Sequence, residues 1–457
     1  MSKKKNLDTL MQEAIVRVEE QPYEIPENWF WTDLKAISTY IQRGKSPKYV
    51  EQSDVKVVSQ KCVQWSGFDI SLARCIDEGS LKSYKEERYL RKTDILWNST
   101  GTGTIGRLAL IEDDLEGINV ADSHVTVVRP NNSIVNSKLL FRWLSSPYVQ
   151  NKLNNLWSGS TNQVELNLTT VKNQLVPIPP YKEQKRIIEK VERILNKIEE
   201  AKRLIEEAKE TFELRRAAIL DKAFRGHLIE DKESWEELKL GDLISEGPQN
   251  GLYKPQTAYG DGSLIVRIDN FYSGYINEWN TLRRLELNEN ELEIYGLDEG
   301  DLLINRVNSI QYLGKSALVR NLREDCVFES NVMRLKINNE LVDNEYLILY
   351  LNSDRGLKEL RKNAKHAVNQ ASINQSDVKN VIVPIPNLAQ QELIVKKALE
   401  LLEKDKMALQ LIQQQRNVLE ELKQSILSKA FKGELGTYDS NDDSAIELLK
   451  SILQEKL

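Results

Sequence analysis

Val171-Lys-Asn-Gln-Leu-Val-Pro-Ile-Pro179 returns as Val378-Lys-Asn-Val-Ile-Val-Pro-Ile-Pro386, and this pair decides how the chain is organised. Self-similarity at one constant spacing marks a duplicated unit. At the same spacing Gln184 falls on Gln391, Lys222-Ala223-Phe224 on Lys429-Ala430-Phe431, and Gly226 and Leu228 on Gly433 and Leu435. Upstream, Asn162-Gln163 falls on Asn369-Gln370, Asn167 on Asn374, Ser123 on Ser330 and Val125 on Val332. Asp94 and Asn98 fall on Asp301 and Asn305. Near the start of each copy, Trp31 with Leu34-Lys35 matches Trp235 with Leu238-Lys239 at a slightly shorter spacing. The match is weak in between, as expected of a shared scaffold whose surfaces have diverged.

Each globular part reads as α+β. Short β-rich runs such as Val125-Thr-Val-Val128 and Leu264-Ile-Val-Arg-Ile268 alternate with Gly, Asn, Ser and Pro clusters. Val-Pro-Ile-Pro is expected to be an extended linker, because each proline fixes φ and biases its predecessor toward extended backbone. Between about Lys182 and Phe224 there is no Gly or Pro. Ile187, Val191, Ile194, Ile198, Ala201, Ile205, Ala208 and Phe212 recur there in steps of four and three, the seam of a coiled coil. The second copy places Ile394, Ala398, Leu401, Ala408, Ile412, Leu419, Leu422 and Ile426 on the same seam, interrupted by Asp405 and Gln415. A helix of this length extends ~60 Å. Chain order then predicts an antiparallel helix pair, with two pseudo-repeated α+β domains separated by it. The expected boundaries are an N-terminal amphipathic arm over 1–22, a first domain over 23–181, a long helix over 182–225 and a linker over 226–234. A second domain over 235–389, a long helix over 390–432 and a tail over 433–457 follow.

Composition narrows the function. The chain has 457 residues, 40% apolar and 29% charged, an ordinary composition for a soluble protein, and no apolar run long enough for a bilayer. The basic start is followed by amphipathic sequence and not by a signal-peptide core, so a cytoplasmic location is expected. Three cysteines without CxxC spacing and three scattered histidines argue against a disulfide framework or a metal cluster. The net charge of −6 weighs against a protein that coats nucleic acid by charge alone, yet permits a reader with a local basic face. Part of the acid lies in Thr437-Tyr-Asp-Ser-Asn-Asp-Asp-Ser444.

A rod carrying one module at each end suits a polymer with regularly spaced sites, and a turn of DNA spans ~34–36 Å. Two diverged modules would read different half-sites. Two variable domains, each followed by Val-Pro-Ile-Pro, a Glu/Gln pair (Glu183-Gln184; Gln390-Gln391-Glu392) and a long helix, resemble the specificity subunit of type I restriction-modification systems. The helix ends Lys222-Ala-Phe-Arg-Gly226 and Lys429-Ala-Phe-Lys-Gly433, the segment Asp94 to Gly106 and Ser158-Gly-Ser-Thr-Asn-Gln163 carry the rest of that resemblance. It implies a non-catalytic subunit bound to double-stranded DNA and to two methyltransferase subunits. It places S-adenosylmethionine, the donor for adenine N6 methylation, on those partners, with no cofactor or metal here. A restriction subunit joins where one exists. The second copy departs in having Gln390 where the first has Glu183, so its helix start is expected to be contacted differently.

Two catalytic motifs fail on inspection. Gly101-Thr-Gly-Thr-Ile-Gly106 fits GxGxxG, but Arg107-Leu-Ala-Leu-Ile111 continues as a β-like run where a dinucleotide site needs a helix. Ile178-Pro-Pro-Tyr181 is similar to the amino-methyltransferase motif, but its first residue cannot bond a flipped base. A stand-alone enzyme is thereby disfavoured, and a coiled-coil adaptor that touches no DNA remains the other class. Base readout uses Arg or Lys on guanine and Asn or Gln on adenine. The candidates are Arg43, Lys45, Asn98, Ser99, Thr102, Arg107, Asn162 and Gln163 in the first module. In the second they are Lys254, Arg267, Asn305, Arg306, Asn308, Gln311, Lys315, Asn369 and Gln370. Identity between Asn162-Gln163 and Asn369-Gln370 suits scaffolding better than discrimination. The basic run Arg355 to His366 is a candidate phosphate track. Leu7, Leu10, Met11, Ala14 and Val18, and Ala445, Ile446, Leu449, Ile452 and Leu453, form two terminal amphipathic stripes, expected either to pack together or to dock a methyltransferase.

Overall fold

The computed structural model describes residues 6–101, 103–153, 165–230, 235–272, 274–276, 279–368 and 370–454, with Ser83 described in its backbone alone. The chain divides into two compact units, Met1–Arg203 with Gln415–Leu457, and Leu204–Gln414. Each unit holds one α+β module, the first part of one long helix and the last part of the other. The helices run over Tyr181–Phe224 and Leu388–Phe431.

In the first unit a four-stranded sheet has the order Ser38–Arg43, Val125–Pro130, Ile95–Asn98, Leu108–Leu110. The strand Val125–Pro130 is antiparallel to both its neighbours, with Val125 opposite Asn98 and Thr126 opposite Arg43. The helix Ser137–Leu144 lays Leu139, Leu140, Trp143 and Leu144 on the core. In the second unit the corresponding sheet is Ile244–Asn250, Val332–Ile337, Leu302–Asn305, Ser316–Leu318, extended by Gly274–Tyr275.

The prolines of Val-Pro-Ile-Pro do not form a linker. Leu175–Ile178 is a strand antiparallel to Phe30–Asp33, and Ile382–Ile385 pairs in the same way with Glu236–Lys239. Each is half of a two-stranded ribbon, so one edge needs no donor and proline is tolerated. This pairing also corrects the alignment of the module starts. Phe30 faces Ile178 as Glu236 faces Ile385, so Leu34 corresponds to Leu240, and Trp29, not Trp31, corresponds to Trp235. Both leucines are fully buried and donate their amides to equivalent carbonyls, Gln174 at 2.8 Å and Val381 at 2.8 Å.

The repeated glutamines fasten each helix to its module. Gln184 Oε1 accepts the amide of Asn136 at 2.7 Å while its Nε2 donates to the carbonyls of Ile134 and Pro179, both at 2.9 Å. Gln391 makes the same bonds to Asp343, Leu341 and Pro386 at 2.8, 3.3 and 2.8 Å. Glu183 differs from Gln390, as expected. It is buried, accepting from Trp29 Nε1 at 2.9 Å and from Thr437 Oγ1 at 3.0 Å, whereas Gln390 is half-buried.

The Lys-Ala-Phe-x-Gly ends of the helices recur because each closes a module. In the first unit Ala430 and Phe431 enter the core, the Phe431 ring meeting Trp143 edge-on at 4.9 Å. In the second, Phe224 meets Tyr346 and Tyr350 at 5.3 and 5.2 Å. Gly226 and Gly433 then turn the chain at φ values of 73° and 75°, the left-handed conformation that suits glycine after a helix.

Within each unit the helix segments are antiparallel. In the first, Lys202 Nζ bonds Glu420 at 2.7 Å, while Arg186 and Lys190 near the helix start bond residues beyond Phe431. In the second, Arg215 pairs with Asp405 at 2.8 Å, and Lys397 Nζ donates to the carbonyl of Leu228 at 3.0 Å. Asp405 is buried, so the interruption of the seam is met by an arginine from the facing helix. Leu401 and Leu422, expected on the seam, are 37% and 43% exposed. Their neighbours Leu402 and Lys423 are half-buried instead, because the seam advances by one residue at both points.

The terminal stripes pack together, except that Val18 lies beyond the helix and is 81% exposed. The helices Leu7–Ala14 and Ala445–Gln454 meet, with Ala14, Ala445 and Leu449 buried in the first unit's core. No helix among the described residues is long and apolar enough to cross a membrane.

Asp94 and Asp301 occupy equivalent buried places with different support. Asp94 accepts Arg129 Nε and Nη2 at 2.7 and 2.8 Å. Asp301 accepts the amide of Asp298 at 2.9 Å and has Arg334 only at 4.0 Å. Burial pushes the Asp301 carboxyl up to about 6. Folding therefore tightens proton binding relative to an unfolded aspartate near ~3.9, so the stability contributed here is present at low pH and lost as pH rises through about 6. Urea unfolding of the parent and of Asp301→Asn at pH 5 and 7.5 checks this. Between those two pH values the parent is expected to lose about 1 kcal/mol more than the variant. Equal losses in the two proteins contradict the assignment.

Candidate nucleic-acid interface

One end of each sheet gathers most of the polar candidates. In the first module the hairpin between Ile95–Asn98 and Leu108–Leu110 carries Ser99 to Gly101 and Gly103 to Arg107, and the register brings Arg43 alongside. Asn98 is fully buried and donates Nδ2 to the carbonyls of Gln60 and Val63, both at 3.3 Å. In the second module Asn305 is equally buried and donates Nδ2 to the carbonyl of Ile268 at 3.4 Å. Each asparagine leaves Oδ1 without a partner among the described residues. The identity of the two copies thus reflects one shared job, holding a neighbouring segment against the sheet end. Ser99 is also buried, sharing a 2.5 Å hydrogen bond with Thr126. Asn98, Ser99 and Asn305 are thus buried within the frame of the rim.

What Asn98 and Asn305 hold differs between modules. In the first, Gln60 Nε2 donates to Thr100 Oγ1 at 2.8 Å, and Thr104 Oγ1 donates to Gln60 Oε1 at 3.0 Å. His124 Nδ1 lies 2.7 Å from Thr100 Oγ1. Arg107 reaches Gln64 Oε1 at 2.6 Å and the carbonyl of Gly103 at 2.7 Å. Arg43 is ion-paired with Glu165 and donates to the carbonyl of Leu166 at 2.7 Å. Lys45 lies beside this cluster, its ammonium 5.8 Å from the Tyr84 ring. Sequence reasoning missed Gln60, Gln64, Thr100, Thr104 and His124. Thr100 and Thr104 stand within the segment Asp94 to Gly106, and His124 stands next to the repeated serine Ser123, whereas Gln60 and Gln64 carry no such signal.

In the second module the same place is aromatic. Tyr272 and Tyr312 are in ring contact at 4.9 Å and both 38% exposed. Arg306 donates to the carbonyl of Ser330 at 3.0 Å, and Asn308 lies in a short strand paired with Gln370–Ser372. Arg361, from the basic run, does not face outward as a phosphate contact. It donates to the carbonyls of Leu313 and Gln311 at 2.8 and 3.2 Å and so braces the loop. The Gln311 side chain is exposed. Burial lowers the Lys315 ammonium below the usual lysine range, with Arg361 and Arg216 adding to the effect. Arg267 pairs with Glu329 at 3.2 Å at the rim, and Glu329 also accepts the amide of Ile268 at 2.7 Å. Lys254 is committed elsewhere, bonding Glu291 in the first turn of Glu289–Tyr295 at 2.6 Å. Gln370 is exposed. Thr102, Asn162, Gln163 and Asn369 lie outside the described residues.

The two rims are therefore built on one frame and lined differently: glutamine, threonine, histidine and arginine on the first, tyrosine, arginine and lysine on the second. Among the described residues no group of three or more His, Cys, Asp or Glu side chains could hold a metal ion.

The chain matches the model for the type I restriction modification DNA specificity domain twice, over residues 32–210 and 232–421. It is 24% identical to the type I restriction enzyme EcoKI specificity subunit of Escherichia coli (strain K12), over 95% of this chain and 96% of that one. A chain solved in work on complex assembly and conformational transition of the type I R-M system superposes with a TM-score of 0.71 at 22% identity, covering 91% of this chain and 100% of its own. The HsdS subunit from Thermoanaerobacter tengcongensis gives a TM-score of 0.56 at 22% identity, covering 92% and 100%.

Proposed function

From the premise that this chain belongs to the type I restriction-modification DNA specificity family, we propose that it reads a bipartite, asymmetric DNA target, one half-site per module. In this reading it directs two adenine-N6 methyltransferase subunits to that target, together with a restriction subunit where one is present. The chain supplies binding and no chemistry of its own, and S-adenosylmethionine is held by the partners. The observation that carries the reading is the pair of rims: the same buried asparagine sets the frame in both modules, while the residues it presents have diverged. Two identical rims would read a symmetric site; two different rims read an asymmetric one. Asn98, Ser99 and Asn305 act as positioning residues, and Arg43, Arg107, Arg306, Asn308, Gln311, Lys315 and Gln370 are the candidates for DNA contact. Lys45 and Arg267 contribute positive charge beside them.

Arg107→Ala and Lys315→Ala, each in the complex of this chain with its methyltransferase subunits, test the division of labour. Each is expected to relax discrimination by about 1–3 kcal/mol at one position of one half-site. Affinity for duplexes altered in the other half-site should stay in its parental order. Competition binding at fixed salt reads both. Unchanged discrimination at both half-sites in both variants removes these two side chains from the reading surface.

A further inference from the structure

Val368 is 92% exposed, above Tyr253 at 78%, Ile310 at 47% and Tyr312 at 38% in the same module. It directly follows the strand Lys365–Ala367, which pairs antiparallel with Gln370–Ser372, Ala367 opposite Gln370 and Lys365 opposite Ser372. Lys365, His366, Ala367 and Gln370 are exposed as well. The hairpin is a polar ribbon with a bare isopropyl group at its tip.

Its base is fixed. Ser372 and Ala371 pair with Val307 and Asn308 of the rim loop, the amide of Ile373 donates to the carbonyl of Arg306 at 2.9 Å, and Ala371 is buried. The ribbon is thus joined to the loop that carries Arg306, Asn308 and Gln311. A two-stranded ribbon fits the major groove of B-DNA, where the only apolar feature on a base edge is the C5-methyl group of a pyrimidine. Lys365 and His366 on one strand and Gln370 on the other supply donors toward phosphates and base edges. Insertion between stacked bases usually employs a larger side chain that fills the opened step. A single branched side chain after the small Ala367 matches one methyl group better than an opened base step.

We propose that Val368 is a specificity-determining residue that reads a pyrimidine C5-methyl group in the major groove of the half-site addressed by the second module. This rests on the DNA-reading function proposed above. The methyl group belongs to thymine or to 5-methylcytosine, and the chemistry at the tip is the same for both.

The test uses full-length chain assembled with its methyltransferase subunits and duplexes bearing the methylated motif's sequence. Each thymine of the second module's half-site is replaced singly by deoxyuridine, and each cytosine singly by 5-methylcytosine. Binding is measured by fluorescence anisotropy for the parent and for Val368→Ala. With the parent, removal of one particular methyl group is expected to weaken binding about fourfold, as expected for one buried methyl. Val368→Ala should weaken binding to the methyl-bearing duplex by at least as much, and should be indifferent to that methyl group. A responding thymine identifies thymine as the source; tightening at a single cytosine identifies 5-methylcytosine. Parental sensitivity to the methyl group retained in Val368→Ala, or no methyl-sensitive position at all, overturns the proposal. Because the side chain is exposed, the variant is expected to melt like the parent, which thermal unfolding confirms in parallel. Absence of any sequence-dependent binding by the parent is a different outcome, and overturns the DNA-reading function itself.

Discussion

Gly251→Ala is expected to cost the second unit about 3–5 kcal/mol, enough to unfold a marginal domain. A Cβ at this position would lie 2.3 Å from the carbonyl oxygens of both Glu329 and Phe328. These are backbone atoms of the turn and strand next to Val332–Ile337, and they cannot yield without moving the sheet. Gly44 has the corresponding role in the first unit, where a Cβ would meet the carbonyls of Ala121 and Asp122 at 2.1 and 2.2 Å. Both glycines donate their amides to the matching valine, Val125 at 2.9 Å and Val332 at 3.0 Å. The backbones touch here because the segment leaving the edge strand passes directly over the sheet end that frames the rim, so loss of packing also disturbs the rim. Gly103→Ala is the control, since nothing lies within 4 Å of its Cβ and its φ is not positive. Urea unfolding should show Gly44→Ala and Gly251→Ala strongly destabilised and Gly103→Ala within about 1 kcal/mol of the parent. Parental stability in the first two contradicts the close approach.

Truncation after Gly436 is expected to destabilise the first unit by about 5 kcal/mol or more. Three losses combine. Ala445 and Leu449, both 1% exposed, leave the core, and Thr437 no longer donates to the buried Glu183 carboxylate. Arg186 loses its ion pair with Asp442 and its 2.9 Å bond to the carbonyl of Thr437. A carboxylate left half-satisfied in a buried setting is the costliest of the three per group. The acidic stretch after Gly436 is thus a clasp on the start of the first long helix, and the C-terminal helix fills a groove beside Leu7–Ala14. Thermal unfolding of the truncated chain checks this. Unchanged melting of the first unit would return the tail to the alternative role of docking a methyltransferase subunit.

Much of the fold was legible because the duplication repeats what the helices must touch. Gln184 and Gln391, Phe224 and Phe431, and Gly226 and Gly433 all match across the copies, since each closes an equivalent junction between helix and module. Tryptophans stand at both 29 and 31, so the sequence alone aligns the module starts two residues out, and only strand pairing with Val-Pro-Ile-Pro separates them. Those prolines looked like a linker for a sound local reason. A ribbon of two strands leaves one edge free of partners, which a local reading of φ preference does not reveal. Leu401 and Leu422 fall one residue off the seam because the alternation of three and four can take either order between Ala398 and Asp405, and between Leu419 and Ile426, which spacing alone does not decide.

The site was less legible. Asn98 and Asn305 have the chemistry of adenine readers, but both are fully buried and donate to backbone carbonyls at the sheet end. A residue that distinguishes one half-site from another is expected to differ between modules. By that measure Gln60, Gln64 and Tyr272 could have been nominated only with the fold in hand, since they lie some forty residues upstream of the loop they support and belong to segments with no repeated pattern.

Base-resolution mapping of methylated adenines tests the central claim most directly. DNA is taken from a methylation-free host that expresses this chain with its methyltransferase subunits, and from the same host without this chain. The account predicts one asymmetric motif in two parts with a fixed unread gap, present in the first DNA and absent from the second. A motif that persists without this chain, or an assembled complex that leaves no motif, would contradict it.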